Sequence, residues 1–218
     1  MRPPVLQPRP EPRPAKVPIV VKLGGSVVRS SELGAWLDAI ATSPEPVVVV
    51  PGGGALADEV RACQTHLGFG DANAHRMALL AMDQLAWAVA GMRRGFAVGA
   101  TEAELNDALA RGAVAVWAPY ALISGRSDIE ESWRLTSDSL ALWLAERIGA
   151  KRCYLIKSVA RSHSSLAAHQ LARDGVVDQA LPGMLAATRV TAILLGRGDQ
   201  KAFAEALAGT TPCGSALE

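Results

Sequence analysis

Cysteine is scarce in this chain: Cys63, Cys153 and Cys213 make an odd number with no C-x-x-C pair among them. That usage argues against a disulfide framework or a structural zinc site and fits a reducing compartment. Cys153, just ahead of the apolar run Tyr154-Leu155-Ile156, reads as a buried strand thiol. Charge of one sign is lacking as well. The formal net charge is +1, which removes the electrostatic argument for a nucleic-acid partner. No apolar run approaches the roughly 20 residues that a membrane helix requires, so no membrane partner is expected. Arg2 is not followed by an apolar signal core, and the expected address is the cytoplasm. His66, His163 and His169 stand at no metal-ligand spacing, and no protein metal site is assigned. The nucleotide fingerprints G-x-x-x-x-G-K-[ST] and G-x-G-x-x-G are also missing.

What the chain does have is apolar bulk. Half of its 218 residues are hydrophobic, enough for one large α/β domain with a sizeable core. Seven of the 13 prolines lie within residues 1–18, which reads as an extended, polyproline-like tail. The domain proper is expected over residues 19–208, and residues 209–218 read as a frayed tail. Short runs rich in β-branched residues, Ile19–Leu23 and Val47–Val50, have the character of strands covered on both faces. Further strands are expected at Phe96–Val98, Ala113–Trp117, Cys153–Ile156 and Thr191–Leu195. Helical patterns fall between them, at about 31–41, 54–67, 72–93, 102–111, 137–149, 165–173 and 199–208, with a soft break near 118–135. This alternation predicts a mainly parallel sheet with helices on both faces, a three-layer α/β/α sandwich. In the longest helix, Met77, Leu80, Leu85, Val89 and Met92 mark an apolar stripe. Apolar bulk on more than one face of that helix predicts a homo-oligomer joined through it.

Two strands end in glycine clusters: Lys22-Leu23-Gly24-Gly25-Ser26 and Pro51-Gly52-Gly53-Gly54. Ligands bind at the carboxyl ends of parallel strands, and glycine lets backbone N–H groups approach an anion closely. One such turn is weak evidence; two in the first quarter of the chain predict a shared anion pocket. Lys22, near the end of an apolar strand, is either a solvated edge lysine or a cation aimed at a phosphoryl group in flight. In Leu135-Thr136-Ser137-Asp138-Ser139-Leu140-Ala141, Thr136 or Ser137 is a natural N-cap, and Asp138 falls in the first turn. Beside the glycine loops, Asp138 has a second reading, orienting the lysine and a magnesium-bound phosphate. His75 reads as packing or as a polar helix residue.

In order along the chain, Val21–Ser26, Pro51–Gly54 and Thr136–Ala141 resemble the successive signatures of the amino acid kinase superfamily, over about residues 19–208. The resemblance implies a phosphotransferase using ATP and Mg²⁺, with Lys22 and Asp138 catalytic and Gly24, Gly25 and Ser26 on the phosphate. Cys153–Val159 stands at the family's nucleotide-side strand and loop. This chain has Lys157-Ser158-Val159-Ala160-Arg161 where many members have Thr-Asp-Val-Asp-Gly, so Lys157 is expected on the ATP phosphates, with Ser158 and Val159 lining the nucleoside pocket. The family's late phosphate-binding lysine has no match around Leu181–Met184, and Lys157 stands in for it. Pro51–Arg61 and Ala74–Asp83 are similar to a short branch that acts on aminomethyl-furanylmethyl phosphate in methanofuran-type cofactor synthesis. That branch implies a small anionic acceptor held by Gly52, Gly53 and Gly54, with Asp58 toward an ammonium and Arg61 toward a phosphate. An i,i+3 surface pair is the plainer reading of Asp58 and Arg61. Uridylate- or amino-acid-type kinases, a non-catalytic anion-binding member of the fold, and a scaffold subunit remain as alternatives.

Overall fold

The computed structural model describes residues 16–159, 167–209 and 213–218. The proline-rich stretch read as a tail lies almost wholly outside the described residues, and so does Arg161. Seven strands form one sheet: β1 (Ile19–Leu23), β2 (Val47–Pro51), β3 (Phe96–Gly99), β4 (Val114–Trp117), β5 (Arg152–Ile156), β6 (Thr191–Leu195) and β7 (Ser215–Ala216). Their order is β3-β4-β2-β1-β5-β6-β7. Every pairing is parallel except β6 with β7. The helices are α1 (Gly25–Val28), α2 (Leu33–Ala41), α3 (Gly54–Leu67), α4 (Asp71–Gly91), α5 (Glu102–Ala110), α6 (Tyr120–Ile123), α7 (Ser137–Arg147), α8 (Ala168–Arg173), α9 (Leu181–Ala187) and α10 (Gln200–Leu207).

β1 is central, in register with β2 on one side and β5 on the other. Its residues alternate between two cores, as the period of two demands. Ile19, Val21 and Leu23 face the layer of α2 and α10, with Trp36, Leu37, Ile40, Phe203 and Leu207. Val20 faces the opposite layer, with Leu140, Ala141 and Leu144 of α7. Lys22 shares the Val20 side by the same alternation. All five residues of β1 and of β2 are buried, so their unbroken apolar runs are those of strands covered on both faces.

Three expectations need correction, and a fourth cannot be compared. Residues 213–218 do not fray: Ser215 pairs with Leu194, Ala216 pairs with Ile193, and the Leu217 N–H donates to Ala192 O at 2.9 Å. The run is too short to carry a strand pattern, and β6 supplies the template. α4 buries His75, Leu79, Met82, Ala86 and Val89, spaced four, three, four and three residues apart, and exposes Met77, Leu80, Trp87 and Met92. Its small alanines hide the buried register from a reading that weighs bulk. α9, Leu181–Ala187, was not among the expected helices; Pro182 sits in its first turn, where the missing N–H has no helical partner to lose. α8 begins at Ala168, and the start proposed for it at 165 lies outside the described residues. Among the described residues, no helix is long and apolar enough to cross a membrane.

Phe203 joins the sheet to its outer layer. It is fully buried, edge-on to Tyr154 at 5.1 Å between centroids and tilted against Trp36 at 5.7 Å. Phe203→Ala is expected to lower the unfolding free energy by about 3–5 kcal/mol. Urea denaturation followed by circular dichroism measures it, and a loss under about 1 kcal/mol would show that the layer does not depend on this ring.

Candidate active site

Because β1 lies between β2 and β5, the chain order reverses at β1, where open parallel sheets bind their ligands. Three strand ends supply the site. β1 delivers Lys22 and the turn Gly24–Gly25, β2 delivers Gly52–Gly54, and β5 delivers Lys157. The Gly24 N–H donates to Ile156 O at 2.9 Å and the Gly52 N–H to Leu23 O at 2.8 Å, so each loop is tied to the neighbouring strand. The two loops touch through backbone. A Cβ on Gly25 would sit 2.8 Å from the Gly54 nitrogen and 2.9 Å from its Cα, and one on Gly52 would sit 2.8 Å from the Gly25 nitrogen. Only glycine permits that approach.

Asp138 closes the site from the opposite layer, in the first turn of α7. Both it and Lys22 are 2% exposed, and Lys22 Nζ pairs with Asp138 Oδ1. Lys157 Nζ lies 2.9 Å from Oδ1 and 2.7 Å from Oδ2 of the same carboxylate. Burial pushes the Asp138 carboxyl up, but the ammoniums of Lys157 and Lys22 outweigh it and hold the group well below the usual carboxylate range. Burial also lowers Lys22, against the attraction of Asp138, to about 8. Lys22 is thus a central-strand cation, not a solvated edge lysine.

Sequence reasoning missed Asp178. Its carboxylate accepts from the Thr136 N–H (2.9 Å) and hydroxyl (3.0 Å), the Ser139 N–H (3.0 Å) and hydroxyl (2.5 Å), and the Leu181 N–H (3.0 Å). Its own N–H donates to Asp138 Oδ2 at 3.2 Å. Thr136 occupies the N-cap position but makes no side-chain cap to its own helix; the expected capping is done by Asp178 from a distant loop. Burial and the nearby Asp138 charge raise the Asp178 carboxyl. A lone aspartate between a glycine turn and a proline helix start carries no sequence motif, so nothing local could have marked it.

A cavity of about 330 Å³ opens over this centre, lined by Lys22, Gly25, Ser26, the Gly52–Gly54 loop, Asp138 and Lys157. Arg29, Asp58 and Arg61 stand at its exposed side. Asp58 Oδ1 is 3.4 Å from Arg61 NH1, as the surface-pair reading had it, and both side chains also line the cavity. The segment 129–135 forms another wall and is fastened to α3 and α4. Trp133 lies under the Arg61 guanidinium at 4.0 Å and donates its indole N–H to Gln64 Oε1 at 2.6 Å. Arg76 holds Glu131 by two bonds of 3.0 and 3.2 Å. A second cavity, about 410 Å³, adjoins the first and is lined by Arg61, Trp133, Thr136, Asp138, Lys157, Ala172 and Gly175–Gln179. Both cavities share Arg61, Trp133, Thr136, Asp138 and Lys157. Ser158 and Val159, expected at the nucleoside, line neither; the Val159 carbonyl accepts from the Arg197 N–H at 3.0 Å. Gly24 contributes through its bond to β5, not as lining.

The model of the amino acid kinase family matches residues 18–161, and this chain belongs to that family. It is 25% identical over 144 residues to the [5-(aminomethyl)furan-3-yl]methyl phosphate kinase of Methanocaldococcus jannaschii. That match covers 64% of this chain and spans 65% of the length of the relative. The uridylate kinase of Archaeoglobus fulgidus superposes with a TM-score of 0.67 at 20% identity, over 92% of this chain and 99% of that one. An isopentenyl phosphate kinase gives 0.59 at 18% identity, over 92% and 100%. These likenesses establish the fold, an α/β sandwich on a mostly parallel seven-stranded sheet.

Gly25→Ala is expected to force the two loops apart and lower stability by about 1–3 kcal/mol, while Gly91→Ala, with open space around it, does not destabilise. Equal melting temperatures for the two variants would refute the backbone contact. A buried lysine lowered to about 8 also makes a pH prediction. The charged form exists below that value, so kcat/KM is expected to fall as pH rises through about 8. A flat profile between pH 7 and 9 would show that the Lys22 charge is not needed.

Proposed function

We propose that this chain transfers the γ-phosphoryl of ATP to a small acceptor that is already anionic, with a phosphomonoester yielding a diphosphate as the best case. The observation that carries this is the Asp138 carboxylate, held between Lys22 and Lys157 where the two cavities meet. A carboxylate kept far below the usual range and paired on both oxygens does not take up a proton near neutral pH. It is an organiser of cations, not a general base. An alcohol acceptor asks for a base, whereas a phosphate or carboxylate oxygen is ionised beforehand. Lys22 and Lys157 neutralise the charge on the phosphoryl group in flight, and the glycine N–H groups and the α7 N-terminus hold its oxygens.

On this reading the nucleotide enters from the side of Gly175–Gln179, and the acceptor fills the cavity between Gly52–Gly54, Arg29, Arg61 and α4. Arg29 and Arg61 bring cations beyond those that one γ-phosphoryl group needs, which favours an acceptor with its own phosphate. The furan phosphate named for the Methanocaldococcus relative supplies the specific candidate. The residues fit a nucleotide carrying magnesium on its phosphates. Asp138 is engaged by lysines, so an ion carried in on the nucleotide phosphates would draw little on this carboxylate and would supply further charge neutralisation. The exposed Met77, Leu80, Trp87 and Met92 of α4 support a homo-oligomer joined on that face.

A coupled ADP-release screen over phosphomonoesters, carboxylates and neutral alcohols tests the reading. Turnover is expected with anionic acceptors, and Lys22→Met is expected to lower kcat about a hundredfold or more. Turnover confined to alcohols would overturn it, and a preference for uridine monophosphate would replace the furan candidate.

A further inference from the structure

The two cavities meet along Arg61, Trp133, Thr136, Asp138 and Lys157, which line both. With the acceptor in the first cavity and the nucleotide in the second, a phosphoryl group passing between them crosses that seam. Two cations stand on it. Lys157 is largely buried against Asp138, whereas Arg61 reaches the seam from α3 with 49% of its side chain exposed. Lys22 and Arg29 line the first cavity and not the second. By position, Arg61 belongs with the travelling group and Arg29 with the acceptor.

Arg61 is also held in place. Its guanidinium carbon lies 4.0 Å from the centre of the Trp133 ring, and the indole N–H donates to Gln64 Oε1 at 2.6 Å. Gln64 is the i+3 neighbour of Arg61 on α3, so helix, guanidinium and indole close one ring of contacts. The Gln64 amide in turn donates to Asp71 Oδ1 at 2.7 Å, at the start of α4. Stacking uses the face of a guanidinium and leaves its N–H edges free to donate in plane. Asp58 Oδ1, at 3.4 Å, is an exposed contact that water screens. Without the indole, so long a side chain on an exposed helix face samples many rotamers and spends little time on the seam. We propose that Arg61 is a catalytic residue that donates to the phosphoryl group in flight, and that Trp133 is the positioning residue that holds it there. The assignment rests on the kinase reading above, moves Arg61 away from the acceptor's own phosphate and leaves that phosphate to Arg29. In the step, an ionised oxygen of the acceptor phosphate bonds to the γ-phosphorus while the bond from that phosphorus to the β,γ-bridging oxygen breaks. The bridging oxygen leaves with the electron pair on ADP, and no proton has to move. Charge spreads over the outer oxygens of the group in transit, which a planar fork of N–H donors matches.

Steady-state kinetics with Mg·ATP and [5-(aminomethyl)furan-3-yl]methyl phosphate, or uridine monophosphate where the screen selects it, test the assignment. Arg61→Met is expected to lower kcat about tenfold or more while the acceptor KM changes by less than about threefold. Arg29→Met raises the acceptor KM instead. Arg61→Lys keeps the charge but not the stacked fork, and recovers only part of the rate. Trp133→Leu lowers kcat as Arg61→Met does, and Trp133→Phe, which keeps a ring under the guanidinium, retains most of it. In the Arg61→Met background Trp133→Leu costs nothing further, a result that a merely structural tryptophan does not give. A raised acceptor KM at unchanged kcat in Arg61→Met would return Arg61 to the acceptor and overturn the assignment, leaving the kinase reading in place. Additive losses in the double variant would overturn the part given to Trp133. Failure of wild type to use either phosphomonoester would overturn the phosphomonoester reading and this assignment together.

Discussion

Everything at the centre of this protein depends on one carboxylate that stays ionised inside it. Asp138 is nearly inaccessible to water, and an isolated charge there would be driven to neutrality. Two ammoniums and a backbone N–H hold it in the charged form. The dependence runs both ways. Lys22, in the middle of the sheet, has no water to solvate it and is tolerable only opposite that carboxylate. A buried pair of this kind contributes little net stability, yet losing one partner strands the other. What the arrangement does offer is charge: a triad carrying one net positive charge faces two cavities.

The sheet topology makes the triad possible. Lys22 ends one strand, Lys157 follows a second, and Asp138 opens the helix that packs across both. These residues meet because β1 sits between β2 and β5, a neighbour relation that no local sequence window contains. Asp178 then ties the α7 start to the loop flanking the second cavity, so a change in that loop is transmitted to Asp138 through one peptide N–H. The segment 129–135 borders both cavities and is held to α3 and α4 by a stacked guanidinium, an indole bond and a bidentate ion pair.

Much of this was legible in the sequence because the signals were strong and local. Unbroken valine runs mark strands covered on both faces, and a Gly-Gly pair after each of two such runs marks backbone in close approach, here of one loop to the other. The three motifs were sufficient to bring Lys22, the glycines and Asp138 into one reading. What escaped was either long-range or compositionally quiet. Asp178 acts across some forty residues and looks like an ordinary loop aspartate. Trp133 looks like one more aromatic in an irregular stretch, since only the packed structure brings Arg61 and Gln64 onto it. The buried face of α4 mixes Ala74, Ala81 and Ala86 with His75, Leu79, Met82 and Val89, and a search for bulk passes over its alanines. β7 exists only because β6 is there to pair with it.

The contact between the Gly25 and Gly52–Gly54 loops has a consequence for how such a protein can change over time. The floor of the first cavity between these loops is built from main chain, whose shape no substitution can adjust gradually; it is kept whole or lost. The walls farther out are side chains on α3, α4 and the 129–135 segment, and each of them can be exchanged singly without moving that floor. Descent from a common ancestor can therefore hold that floor fixed while the walls, and with them the choice of substrate, drift. Relatives with the same glycine loops should differ most where this chain has Asp58 and His75.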